Sequence, residues 1–100
     1  MVIVAGSFEI KPEEREEFLA GRHDSMRESR NEPGCLEYTM SADPIDPGRV
    51  VLFERWADQA GLDAHLAAMG NAPPPSGPAV APISATITIY DVAGERPLGI

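Results

Sequence analysis

Apolar positions fall in four short stretches of strand character, separated by two longer stretches with helical spacing. Val2 to Ile10 (VIVAGSFEI) is β-branched and aromatic-rich and reads as a strand, with Gly6 its only weak point. Lys11-Pro12 ends it. Pro12 suits a first helical turn, because its missing N–H would be unpaired there, and Glu13, Glu14, Glu16 and Glu17 complement the positive helix end. A helix from about Pro12 to Arg30 is therefore predicted. Glu32-Pro33-Gly34 is a stop and turn signal, after which Cys35 to Ser41 alternates as a strand. The run DPIDPG at residues 43–48 supplies a hairpin connection to a third strand, Arg49 to Trp56. Asp58 is a good N-cap for a second helix running to Met69. Gly70 to Pro82, rich in proline, reads as a loop, Ile83 to Val92 as a fourth strand, and Ala93 to Ile100 as an irregular tail.

The order βαββαβ predicts an α+β, ferredoxin-like domain over residues 1–100, an antiparallel sheet with helices on one face. The third strand adds an inference about assembly. Val50, Leu52 and Trp56 point one way, while Val51 and Phe53 point the other, so both faces carry apolar side chains although helices cover only one. The uncovered face is expected to pack on a second copy, giving a homodimer whose two sheets close a barrel-like core, a dimeric α/β barrel. The alternative is that Val51 and Phe53 are ordinary exposed apolar residues.

Composition narrows the partners. The net charge of −8, with eight dispersed basic residues, argues against nucleic acid and against an anionic membrane surface, since phosphate binding needs clustered Lys and Arg. One cysteine forms no internal disulfide, and neither end carries a signal peptide or long apolar span, so a cytoplasmic protein is expected. Two histidines, His23 and His65, separated by 41 intervening residues with no ligand-type spacing, give no support for a metal site.

Candidate chemistry gathers on the inward faces. His65 shares a helical stripe with Leu62, Leu66 and Met69 and should face the sheet, as a proton acceptor or as a core histidine bonded to a carbonyl. Trp56, at a strand end, offers a wall for a planar ligand with its N–H open to an oxygen atom, or plain core packing. Glu54 shares its parity, and a carboxylate turned toward the helices needs a partner. The first helix offers one. Its inward stripe, anchored on Phe18 and Met26, continues through Arg22, Ser25 and Ser29, so Arg22 and Ser25 are placed on the polar side of a pocket opposite Trp56 and His65. There Arg22 would pair Glu54 or hold a substrate oxyanion. The other helix phase turns Leu19, His23 and Met26 inward and leaves Arg22 in water. Tyr38, in parity with Leu36 and Met40, has a phenol that can donate to a ligand or to a structural partner. Cys35, with no charged partner, reads as an inert buried thiol.

The turn EPGCLEY, the strand end FERW and the helix segment LDAHL, in this order, resemble the antibiotic biosynthesis monooxygenase superfamily, including the small quinol monooxygenases. The resemblance covers residues 2–69 well and the fourth strand loosely. It implies a homodimer that oxidises a quinol or polycyclic phenol with molecular oxygen and without metal or flavin. His65 would be the catalytic base, and Trp56, Tyr38, Arg22, Ser25 and Glu54 would bind the substrate. Two departures stand out. The haem-degrading branch places an asparagine on the first strand, absent from VIVAGSFEI, which disfavours haem, and the proline-rich loop replaces a short helix usual in the family. The reading from another class is a non-catalytic dimer that binds a small hydrophobic aromatic ligand in the same cleft. A structural dimer with a filled core is the third.

Overall fold

The computed structural model describes residues 1–71 and 80–100. Its elements are β1 (Val2–Glu9), a single 3-10 turn (Pro12–Glu14), α1 (Arg15–Ala20), α2 (His23–Arg30), β2 (Cys35–Ala42), β3 (Arg49–Trp56), α3 (Gln59–Gly70) and β4 (Ser84–Asp91). The four strands form one antiparallel sheet in the order β2-β3-β1-β4. This is the predicted ferredoxin-like α+β arrangement. Within one chain the sheet is open, and no barrel closes. Of the predicted proline-rich loop, Gly70 ends α3 and residues 72–79 lie outside the described part.

Alternation along β3 divides the sheet into two faces. Val50, Leu52, Glu54 and Trp56 are buried under the helices, while Val51 and Phe53 are half-buried on the other face, which no described helix covers. The register brings Val2 beside Trp56 and Glu9 beside Arg49, so the helix-covered layer has two ends. At one end Ile10, Phe18 and Val50 form a small core, with the Phe8 and Phe18 rings 5.5 Å apart. At the other, Val2, Val4, Met26, Tyr38, Leu52, Trp56 and Leu62 pack together. The β2–β3 hairpin is tied down by Arg15, whose guanidinium donates to the carbonyl oxygens of Asp43 (3.1 Å) and Asp46 (2.8 Å).

Three local features differ from the predicted elements. The first helix is not continuous. It breaks at Gly21-Arg22, where glycine has poor helix propensity and the Ser25 hydroxyl donates to the Arg22 carbonyl at 3.0 Å, a local bond that competes with the ladder. A β-bulge between Cys35 and Glu37 gives Leu36 the extra position. Cys35 therefore shares the face of Tyr38 and Met40, and Leu36 is exposed. Finally, α3 buries only Leu62 and His65; Leu66 (49% exposed) and Met69 (57%) do not join their stripe, because the helix leaves the core after His65 and residues 66–71 are all exposed.

Candidate active site

His65 is brought to the sheet by the start of α3. The Asp58 carboxylate caps this helix, accepting from the Gly61 backbone N–H at 2.8 Å, as the sequence predicts. The helix then lies against the Pro33-Gly34 turn, and two glycines permit that approach. Gly34 has a φ of 83°, and a side chain at Gly61 would press on the Pro33 carbonyl oxygen and the Trp56 ring. The turn itself is held by the Ala57 N–H donating to the Gly34 carbonyl at 2.8 Å. Glu32, one residue before the turn, is thereby delivered to α3.

The result is a cluster of aromatic rings and carboxylates. The His65 ring centroid lies 4.9 Å from that of Trp56 and 5.3 Å from that of Tyr38, which it meets edge-on. Tyr38, Glu54, Trp56 and His65 are all buried, none more than 5% exposed. His65 Nδ1 is 2.8 Å from Glu32 Oε1. A carboxylate only accepts, so in the neutral imidazole Nδ1 carries the proton and donates, and Nε2 keeps its lone pair. Nε2 is buried and, among the described residues, has no hydrogen-bond partner. Buried polar atoms are nearly always satisfied, and an exception needs an explanation. The imidazole has its orientation and tautomer set by a carboxylate behind it, and its other nitrogen is unpartnered among the described residues, an arrangement chemically suited to accepting a proton.

The Trp56 indole N–H donates to Glu54 Oε1 at 2.9 Å. It is not open to a ligand, and Trp56 is enclosed rather than a cleft wall. This bond also corrects the expected partner of Glu54. Among the described residues no ion pair joins Arg22 to Glu54; the Arg22 guanidinium instead lies over the Phe18 ring, 4.6 Å from its centroid. The helix break at residues 21–22 puts Arg22 at the N-terminal cap of α2 and leaves Ser25 exposed; Arg22, half-buried, bears on the cluster through its charge, which favours the ionised Tyr38 phenol. Ser29, the third polar residue of that stripe, is buried.

Burial dominates the electrostatics. It pushes the Glu54 carboxyl up, against the Trp56 hydrogen bond and the His65 charge, which favour the anion. The Tyr38 phenol is pushed up to about 12, first by burial and then by the Glu54 carboxylate, with a hydrogen bond to Ser29 acting the other way. Burial, then Glu32 and Glu54, likewise raise the Cys35 thiol, consistent with an inert side chain. Among the described residues no group of three or more His, Cys, Asp or Glu is placed to hold a metal ion.

Sequence reasoning thus places His65, Trp56, Glu54 and Tyr38 together; Ser25 is exposed, and Arg22 bears on Tyr38 through its charge and does not pair with Glu54. Sequence reasoning misses Glu32, read only as part of a turn. The available signal was the need of an inward imidazole for a partner at its second nitrogen. A cleft of about 300 Å³ between the 32–34 turn and the first half of α3 has Glu32, Gly34, Gly61 and Ala64 in its wall. Glu32 is the solvent-reaching member of the pair, its side chain 26% exposed against 3% for His65.

Fold and cluster together define a small ferredoxin-like α+β protein with an imidazole and an indole buried between sheet and helix. The chain belongs to the antibiotic biosynthesis monooxygenase family, whose sequence profile matches residues 1–69. It is 38% identical over 65 residues to sll1783, an uncharacterized protein of Synechocystis sp., covering 65% of this chain and 44% of that one, so it spans less than half of that relative's length. It is 31% identical over 65 residues to YcnE of Bacillus subtilis, named as a candidate monooxygenase, covering 65% of this chain and 68% of YcnE. In fold it is similar to a crystal structure from Deinococcus radiodurans described as a candidate antibiotic biosynthesis monooxygenase, with a TM-score of 0.78, 22% identity and 98% of each chain covered. No described helix is long and apolar enough to cross a membrane.

Proposed function

We propose that the protein oxidises a quinol or polycyclic phenol with molecular oxygen, with His65 as the base and no metal or flavin required. The observation that carries this reading is the buried Nε2 of His65, without a partner among the described residues and backed at Nδ1 by Glu32. Nε2 takes the phenolic proton. The imidazolium so formed is stabilised by the Glu32 carboxylate it already donates to, and the phenolate is electron-rich enough to pass an electron to oxygen. A quinol and dioxygen then give a hydroxylated quinone and water: one oxygen atom enters the ring, the other is reduced, and the proton held on Nε2 returns to the departing oxygen. Trp56 and Tyr38 supply apolar ring surface around that nitrogen.

The active form in this proposal is a homodimer. The uncovered sheet face, with Ile3, Val51 and Phe53 half-buried and Tyr90 exposed, supports packing against a second copy. The enclosure of Trp56 and His65 favours a second reading, a dimer that binds an aromatic ligand without turning it over. Oxygen uptake by metal-stripped protein with a panel of quinols and anthrone-like phenols separates the two. The monooxygenase gives uptake that drops about 10²- to 10⁴-fold in His65→Ala while the fold persists. Uptake no faster than the spontaneous rate throughout the panel, with ligand binding retained, identifies the binder.

A further inference from the structure

The cluster around His65 is shut. Nε2 is buried, and Tyr38, Glu54, Trp56 and His65 are each at most 5% exposed, so no ligand touches that nitrogen unless part of the fold moves. The cleft of about 300 Å³ beside α3 reaches Glu32, on the Nδ1 side of the ring. Of the elements that enclose the cluster, the strands are fixed. β3, which carries Glu54 and Trp56, is hydrogen-bonded along both edges, to β1 and to β2. β2 is pinned to α2 as well: Arg30 donates to the Tyr38 carbonyl at 2.8 Å, and the Met40 N–H donates to Met26 Sδ at 3.3 Å. The remaining element, α3, is held far more thinly. It buries only Leu62 and His65, and residues 66–71 are all exposed. Among the described residues, its one hydrogen bond to another part of the fold runs from His65 Nδ1 to Glu32. Its start, by contrast, is anchored by the Ala57 N–H on the Gly34 carbonyl and by the Asp58 cap, next to a seam where Gly34 and Gly61 meet without side chains. Segments with little buried apolar surface open first, and element ends absorb the backbone change. We propose that α3 is a hinged cover, pivoting at its start beside the Gly34–Gly61 seam and latched shut over Nε2 by the Glu32–His65 bond. Opening draws Leu62 and His65 off the sheet, brings Nε2 to solvent and bares the rings of Tyr38 and Trp56 to a ligand.

Diethyl pyrocarbonate, which acylates an unprotonated imidazole nitrogen, tests this on the intact protein. The two histidines form an internal comparison, because His23 is exposed and His65 is not. Followed by peptide mass spectrometry, His65 is modified at about 0.1–10% of the His23 rate, the population expected of a minor open state. Glu32→Ala raises the His65 rate about tenfold by removing the latch and leaves His23 unchanged. Glu32→Gln, which keeps an acceptor oxygen for Nδ1, raises it less. Amide hydrogen exchange on the same samples separates movement of the cover from unfolding. The amides of Asp63 to Leu66 exchange faster than those of β1 and β3, and the increase in Glu32→Ala is confined to α3. Equal rates at His65 and His23, a His65 rate unmoved by Glu32→Ala, or exchange of α3 no faster than that of the sheet overturns the proposal. Neither measurement calls on turnover, so an absence of oxygen uptake with quinols counts against the monooxygenase reading and leaves the cover standing.

Discussion

The two ends of the helix-covered layer are built on opposite terms. Around Phe18 the interior is hydrocarbon, and the polar atoms nearby are bonded: Arg15 to the hairpin carbonyls, and Asp43 to Arg49 at 2.7 Å and to the backbone N–H groups of Ile45 and Asp46. Around His65 the interior takes in a carboxylate, a phenol and an imidazole and leaves one nitrogen without a partner. The first end is organised for stability. The second leaves a polar atom unsatisfied away from water, a cost of the kind found where a site has a function beyond packing.

The sharpest way to break this comparison is to hollow out each end in turn. Phe18→Ala removes a ring from the all-apolar end and should cost about 3–5 kcal/mol of folding stability, read as a shift in the urea midpoint, while the imidazole environment of His65, followed by NMR, changes little. His65→Leu removes a buried group with an orphaned atom and should cost far less, or even stabilise, because an unsatisfied polar atom is exchanged for hydrocarbon. A larger loss at His65 than at Phe18 would erase the distinction.

Titration provides a finer test, because the two ends respond to pH with opposite sign. Burial raises the folded-state pKa of Glu54 above 4.5 and that of Tyr38 from 10 to about 12. In each window the folded protein holds a proton the unfolded chain has released, so stability falls as pH rises, from 4.5 upward for Glu54 and between 10 and 12 for Tyr38. Glu54→Gln and Tyr38→Phe should each flatten their own limb in urea melts taken across pH.

Asp43 behaves inversely and gives the smallest effect. The N–H groups of Asp46 and Ile45 and the Arg49 guanidinium hold its carboxyl at about 2, below the ordinary 3.8. The stability this contributes is present above 3.8 and is lost as pH falls toward 2, and Asp43→Asn should remove that acid limb alone. If the limb persists in the variant, another carboxylate ties down the hairpin.

How much of this was legible in the sequence follows from the range of each interaction. Alternation and turn chemistry are local, and they place β3 at Arg49–Trp56 and the cap of α3 at Asp58 where the structure has them. The helix break was harder to read, because Gly21 lowers propensity without ending a periodic pattern and the Ser25 to Arg22 bond is a side-chain choice. The bulge at Leu36 defeated parity by one residue. Glu54 and Trp56 lie two apart on one face of a strand, so their bond was within reach, yet the long-range arginine looked the better partner for a charge. Glu32 and His65 meet across 33 positions through a turn and two glycines, and no periodicity encodes such a contact.

The chain has one tryptophan, and it is the indole of this cluster, fully enclosed, hydrogen-bonded to Glu54 and stacked near His65. Its emission is therefore an intrinsic optical gauge of a single locality. An indole shut away from water emits toward the blue, and a protonated imidazole against its face dims it. Light from the unlabelled protein will thus report on that one address, and any change in the packing around the ring will show in its colour and brightness.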